Sequence, residues 1–501
     1  MKKSVKLFLS VFVIVLLACS LVLTGCAISS EKHVCVVSIE QTGTNGLEDV
    51  YTVTYSDGYV STFTVTNGQD GEDGKDGDDV TIQDVYERYK QATNSDEITF
   101  SEFLSQYLTF TDETTTLAIQ KNLLSVMKIY SEFVVSETYS SIRPGQSYVV
   151  SDTALCTGSA VIYDMCASEG GYTYIVTNYH VVYLEEADEA LNGASKIARK
   201  IYGYLYGSES TPAASVNVST NTVQKDENGY TKYDYGESAI ALEYIGGSVS
   251  SDIAVLRAKT SDILAVNPCA AQVELADSYH VGETAIIAIG NPEAQGISVT
   301  QGIVSVESDY ISLNIDGSSR SYRSIRIDTA LYSGNSGGGL FNAAGKLIGI
   351  TNAGNSSDEN INYAVPLEIV QGVADNIIYY HEKGSDAQCA YKIVLGITVQ
   401  TQNSKYVYDA GSGYGKIREE VVLDSVASDS IAESMNLQSG DIITAIIVND
   451  TEYEIARSFD ISDLILTLRE GDVIQCVVQR NAQTVYSEEY TLSKTALVAI
   501  E

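Results

Sequence analysis

The stretch Asp328-Thr329-Ala330-Leu331-Tyr332-Ser333-Gly334-Asn335-Ser336-Gly337-Gly338-Gly339-Leu340 constrains this chain more than any other. One serine, Ser336, sits among four glycines, after a polar turn and before an apolar run. Glycine takes φ > 0 without strain and carries no side chain to block close approach. Such a turn holds a hydroxyl outward and aims backbone N–H groups at an oxygen beside it. Acyl transfer needs that pairing of a nucleophile with an oxyanion hole. The alternative reading is a glycine-rich hairpin turn with no chemistry.

Two distant stretches favour chemistry. Thr177-Asn178-Tyr179-His180-Val181-Val182 follows the β-like run Gly171 to Val176, and His180 is one of only four histidines. Ser251-Asp252-Ile253-Ala254-Val255-Leu256 places an acid at the mouth of an apolar strand. A serine hydroxyl is a weak nucleophile until an imidazole takes its proton, and a buried carboxylate must hold that imidazole in one tautomer. The order His, Asp, Ser is that of chymotrypsin-type folds. A rival is the G-x-S-x-G elbow, which requires a helix directly after the serine and a histidine downstream. Leu340 to Ile350 reads strand, turn, strand, and the only later histidine is His381 in a polar segment.

Residues 113–380 resemble the HtrA/DegP family of trypsin-like serine proteases. The matching pieces are Gly158 to Ile162, Thr177 to Val182, Ser251 to Leu256, Ala288-Ile289-Gly290-Asn291-Pro292, Val299 to Ser305, the serine turn, and Ile361 to Pro366. The resemblance implies a mainly β protein: a chymotrypsin-like double β-barrel with His180, Asp252 and Ser336 catalytic. The N–H groups of Gly334 and Ser336 would form the oxyanion hole. The family usually has proline where this chain has Ser333 and Gly339, both beside the site. Ala330 and Leu331 would line the base of the side-chain pocket. With no acid there, small or medium apolar residues are expected before the cut bond. Asn352, Ala353 and Gly354 would pair with the substrate backbone by strand addition. No metal or other cofactor is expected.

From 389 to 495 the chain resembles a PDZ domain, an α+β fold, with Val394-Leu395-Gly396-Ile397 as the carboxylate-binding loop. Backbone N–H groups around Leu395, Gly396 and Ile397 would capture a peptide C-terminus. The alternative is a domain that only packs on the protease. Val421 to Ser425, Leu437 to Ile443, the Gly471-Asp472-Val473 turn and the strand Val477 to Arg480 match the rest of that fold.

The remaining segments carry less. The formal net charge of −36 on 501 residues argues against nucleic acid as a partner. Lys2, Lys3 and Lys6 followed by the uncharged apolar run Leu7 to Leu23 read as a signal segment, residues 1–25. Leu23-Thr24-Gly25-Cys26 resembles the bacterial lipobox, which implies a lipid on Cys26. The chain would then be anchored to the outer face of the cytoplasmic membrane. Plain cleavage and an uncleaved anchor are the alternatives. Residues 33–66 alternate apolar and polar positions, so that 26–67 read as a small β module. Residues 68–80 repeat Gly-x-Asp and read as a flexible linker, and 81–112 read as helical. A first protease strand is expected over Leu123 to Phe133, an inserted loop over 185–237, and a helix-like, polar linker over 368–388. The later cysteines are expected to be mostly buried thiols. Two functions follow: an active serine endopeptidase acting on unfolded or damaged envelope proteins, commonly a trimer or larger, or a chaperone-like binding protein with an idle triad.

Overall fold

The computed structural model describes residues 36–45, 48–55, 58–66, 90, 112–140, 147–355, 358–409 and 414–500. The signal segment, Cys26, the Gly/Asp linker and nearly all of 81–112 lie outside the described residues. The chain divides into two units, Met1–Phe100 and Ser101–Glu501. In the first, Val36–Asn45, Glu48–Tyr55 and Val60–Thr66 form a three-stranded antiparallel sheet, as the alternation of residues 33 to 66 predicts.

In the second unit, six strands close a barrel in the order Ile240–Ser248, Ile253–Lys259, Tyr172–Thr177, Ser147–Met165, Val126–Ser140, Lys200–Leu205. Met127, Ile129, Ile162, Ile175, Ala254 and Leu256 fill it. They come from alternate positions on their strands, because successive side chains point to opposite faces. A seven-stranded sheet follows, running from Glu274–Leu275 to Asp358–Pro366, and the extra pairing of Lys346–Asn355 with Asp358–Pro366 curls it into a second barrel. Leu340, Phe341, Ile348 and Ile350 sit in its core.

The structure corrects four sequence expectations. The first strand is Val126–Ser140, not 123–133; it is preceded by the helix Asp112–Asn122, whose Ala118 packs into the second core. The segment 185–237 is not wholly an insertion. Its Lys200–Leu205 is a barrel strand, paired with Val126–Ser140 on one side and Ile240–Ser248 on the other. The helix-like stretch expected over 368–388 is the helix Leu367–Glu382, but it is no polar linker: Val370, Val373, Ala374 and Ile377 bury one face of it. The cysteines are not mostly buried. Among the described residues only Cys476 is fully buried, Cys166 and Cys269 are exposed, and none is bridged.

A β-rich C-terminal region, consistent with a PDZ domain, is built on the strands Ile397–Asp409, Tyr414–Val426, Ile442–Val448, Val473–Arg480 and Gln483–Tyr486. It extends past 495, since Leu497–Ile500 pairs with Ala390–Ile393. The helix Leu367–Glu382 fastens it to the barrels. Asn376 donates to the carbonyls of Tyr391 and Leu466 and accepts from the Tyr391 N–H.

Candidate active site

His180 lies in the one-turn helix Tyr179–Val182, directly after the barrel strand Tyr172–Thr177. Asp252 lies between the hairpin strands Ile240–Ser248 and Ile253–Lys259, fully buried, with φ of 51°. That left-handed backbone costs a non-glycine residue energy and is tolerated when the surroundings fix it. Here they do. The Asn178 amide donates to the Asp252 carbonyl at 2.9 Å, and the His180 N–H donates to Oδ1 at 3.0 Å. The second carboxylate oxygen, Oδ2, stands 2.8 Å from His180 Nδ1. Burial pushes the imidazole pKa down. The charge of Asp252 and its hydrogen bond outweigh that, leaving His180 above its usual 6.5. An imidazole so held presents its other nitrogen as a base.

The serine turn comes from the second barrel. Gly334 and Gly337 take φ of 96° and 87°. A side chain at Gly334 would put Cβ 2.3 Å from the Asn291 carbonyl oxygen, and one at Gly337 would put it 2.1 Å from the Ser159 carbonyl oxygen. The glycines are therefore required by both conformation and space. Strand Gly339–Phe341 follows the turn with no helix, which removes the hydrolase-elbow alternative. The turn is pinned to the first barrel: the Ser159 N–H donates to the Ser336 carbonyl at 2.8 Å, and the Ser159 hydroxyl to the Gly334 carbonyl at 2.8 Å. A Cβ at Gly158 would touch both Val181 and the Ser336 carbonyl oxygen, so the backbone of Ser336 lies beside the helix that carries His180.

Among the described residues, the N–H groups of Gly334 and Ser336 have no hydrogen-bond partner. Two unpaired donors on one glycine turn, flanking a serine, can stabilise an oxyanion. The Ser336 hydroxyl itself donates to the Asn352 carbonyl at 2.8 Å and makes no hydrogen bond to His180. Sequence reasoning did not find this arrangement, and no sequence signal reports a serine rotamer.

Of the expected pocket residues, Ala330 and Leu331 are half-buried, and the Ala330 carbonyl accepts from the Thr300 hydroxyl at 2.8 Å. Asn352 is buried, and neither polar atom of its side chain has a partner. Ala353 and Gly354 lie on the strand Lys346–Asn355, which is bulged between Thr351 and Ala353. A Cβ at Gly354 would lie 3.4 Å from the Leu331 carbonyl oxygen, so these two expected walls meet. In the C-terminal region, Gly396 has φ of 78°, and the carbonyls of Leu395 and Gly396 are tied to the N–H groups of Ala432 and Ala427. The N–H groups of Leu395 and Gly396 have no partner among the described residues, and Ile397 opens the adjacent strand.

This chain is similar to known proteins over most of its length. The family described as "Trypsin-like peptidase domain" matches residues 156–350. The serine protease Do-like HtrA of Lactococcus lactis subsp. lactis (strain IL1403) is 28% identical over 381 residues, covering 73% of this chain and 79% of that one. The protein of the same description from Bacillus subtilis (strain 168) is 26% identical over 337 residues, covering 66% and 62%. A solved structure of an HtrA-type protease, AlgW with decapeptide, covers 75% of this chain and 98% of its own, at 24% identity and a TM-score of 0.42. With the double barrel, the serine turn and these relatives in one chain, the protein is a serine endopeptidase with a trypsin-like peptidase domain, similar to the HtrA serine proteases.

Proposed function

We propose that Ser336 is the nucleophile, His180 its general base and Asp252 the carboxylate that orients the imidazole. The N–H groups of Gly334 and Ser336 are the oxyanion donors. The observation that carries this reading is the His180–Asp252 pair at 2.8 Å beside a turn whose two N–H groups are unpaired. A peptide adds as a strand along Asn352, Ala353 and Gly354, and Ala330 and Leu331 select small or medium apolar side chains. Rotation of the Ser336 hydroxyl from Asn352 toward His180 starts attack on the carbonyl; His180 takes the proton and later gives it to the leaving amine. The C-terminal region holds peptide C-termini on the N–H groups of Leu395, Gly396 and Ile397. The substrates are unfolded or damaged envelope proteins. A lipid on Cys26 anchors the chain to the outer face of the cytoplasmic membrane, and it works as a trimer or larger assembly.

The test is labelling with a fluorophosphonate, followed by mapping of the modified residue. Ser336 is expected to carry the label, and Ser336→Ala to lose casein cleavage while still binding the protein. Label on another residue, with cleavage intact in Ser336→Ala, sinks the assignment. The Ser336–Asn352 bond favours a second reading, a binding protein with an idle serine. That reading expects no label, and full suppression of aggregation by Ser336→Ala.

A further inference from the structure

On the strand Val126–Ser140, Met127 and Ile129 face the barrel core, and Lys128, between them, faces the opposite way. Lys128 is nevertheless only 2% exposed. Tyr204 and Ser159 are its cross-strand neighbours on either side, and Tyr204 packs edge-on against Tyr130. A buried cation is costly unless it is paired and hydrogen-bonded. Among the described residues Lys128 has no carboxylate partner. Nζ donates to the Ala294 carbonyl at 3.1 Å and lies 5.1 Å from the centre of the Tyr130 ring. The cost points to a task other than stability.

Ala294 belongs to a short loop in which Glu293 and Ala294 both have positive φ, 51° and 60°. Two successive non-glycine residues in that region hold their shape only when neighbours impose it. The loop is gripped at both ends, and the Asn291 side-chain amide also donates to the Thr157 hydroxyl at 3.0 Å. The Asn291 N–H donates to the Ser159 hydroxyl at 2.8 Å, and the Ala294 carbonyl takes the Lys128 ammonium. Between those points the Glu293 N–H donates to the Ser333 carbonyl at 2.6 Å. The Ser333 carbonyl and the Gly334 N–H belong to one planar peptide and point in opposite directions. Fixing the first outward fixes the second toward the site.

We infer that Lys128, with Ser159 beside it, is a positioning residue for the oxyanion hole, acting through the Asn291–Ala294 loop on the Ser333–Gly334 peptide. The inference rests on the reading of Ser336 as nucleophile and Gly334 as oxyanion donor. Without the ammonium the strained loop relaxes, the Glu293 N–H leaves the Ser333 carbonyl, and the Gly334 N–H turns out of the hole. Loss of a whole oxyanion donor lowers rate by about 10²–10³. A misplaced donor costs less, about tenfold or more in kcat. KM changes little, because ground-state binding along the substrate strand is untouched.

The experiment uses the full chain and a chromogenic peptide substrate. Lys128→Met keeps the length and volume of the side chain and removes the charge. Expected are a kcat at least tenfold lower, a KM within about twofold, and a Tm equal to or above that of the parent, since an apolar replacement relieves an unpaired buried charge. Ser159→Ala cuts the same grip at its other end, together with the direct bond from Ser159 to the Gly334 carbonyl, and is expected to show the same split. A parental kcat in either variant overturns the inference, as does a loss carried by KM alone; Lys128→Leu, read by the same split, decides should Lys128→Met not fold. Ser336→Ala, run alongside, separates the two claims: activity retained there sinks the assignment of the nucleophile, not the role of Lys128.

Discussion

The hydroxyl of Ser336 is bonded to the carbonyl of Asn352, 2.8 Å away, while His180 is already engaged by Asp252. On the roles proposed above, base and orienting carboxylate are assembled while the serine hydroxyl is bonded elsewhere, and attack requires that hydroxyl to leave Asn352 for His180. Only neutral His180 can accept the serine proton. Its pKa is raised by Asp252 against the opposing effect of burial, so the acid limb of the pH–rate profile is expected to have its midpoint above 6.5. Activity rises with pH through that midpoint. A profile of kcat/KM on a peptide substrate from pH 5 to 9 checks it, and a midpoint below the ordinary imidazole value contradicts the pairing.

Asp252→Asn preserves the shape of the buried site and removes its charge. The imidazole is then free to take the wrong tautomer, and kcat is expected to fall by about 10⁴-fold. The midpoint of the acid limb should fall as well, because only burial still acts on His180. Stopped-flow or long-time-course assays at two pH values measure both effects. A lower kcat with an unmoved midpoint would mean that Asp252 acts on something other than the imidazole.

How much of this the sequence discloses depends on the distance over which each feature is encoded. His180, Asp252 and Ser336 each stand in a short local pattern, and the strand–turn–strand after Ser336 was readable from residues 340–350 alone. The barrel strand Lys200–Leu205 was hidden inside polar flanking sequence, because its partners are the distant strands Val126–Ser140 and Ile240–Ser248. The helix Leu367–Glu382 was legible as helix-like, but not the burial of its apolar stripe, which depends on the distant core and the Leu466 backbone. Lys128 resisted for a similar reason. A lysine on alternate strand positions normally marks the solvated face, and only the burial of Lys128, whose Nζ meets the distant Ala294 carbonyl and the Tyr130 ring, reverses the meaning. The Ser336–Asn352 bond is a rotamer choice, which composition and spacing do not encode.

Gly396 offers a separable test of the C-terminal region. Its φ of 78° suits glycine, and an added Cβ would lie 2.3 Å from that of Ser430, the N-cap of the helix Ile431–Ser434. Gly396→Ala must therefore shift the loop whose Leu395 and Gly396 N–H groups are unpaired. Binding of a fluorescent peptide with a free C-terminal carboxylate is expected to weaken at least tenfold. Hydrolysis of a short chromogenic peptide should stay close to the parental rate. Equal peptide binding in parent and variant, by fluorescence polarisation, would leave the loop without that role.

Arg323 and Asp463 form a nearly buried ion pair between the second barrel and the C-terminal region, and Phe459 lies under the guanidinium with ring centre 4.3 Å away. Asp463 also borders a cavity of about 570 Å³ shared with Glu368, Asp460, Glu307 and Tyr279. Burial raises the Asp463 carboxyl to about 6; the charge and hydrogen bond of Arg323 oppose this, and Glu368 and Asp460 add to it. The folded value thus exceeds the ordinary 3.8, and between those two values the folded chain keeps a proton that the unfolded chain has released. By linkage the contribution to stability is complete below about pH 4 and is lost as pH rises through about 6. The difference is on the order of 2–3 kcal/mol. Asp463→Asn fixes the neutral state, so the stability difference between variant and parent should grow from pH 5 to pH 7.5, in favour of the variant. Urea unfolding midpoints across that range measure it. A difference that does not change with pH would show that the Asp463 proton is not what the seam senses.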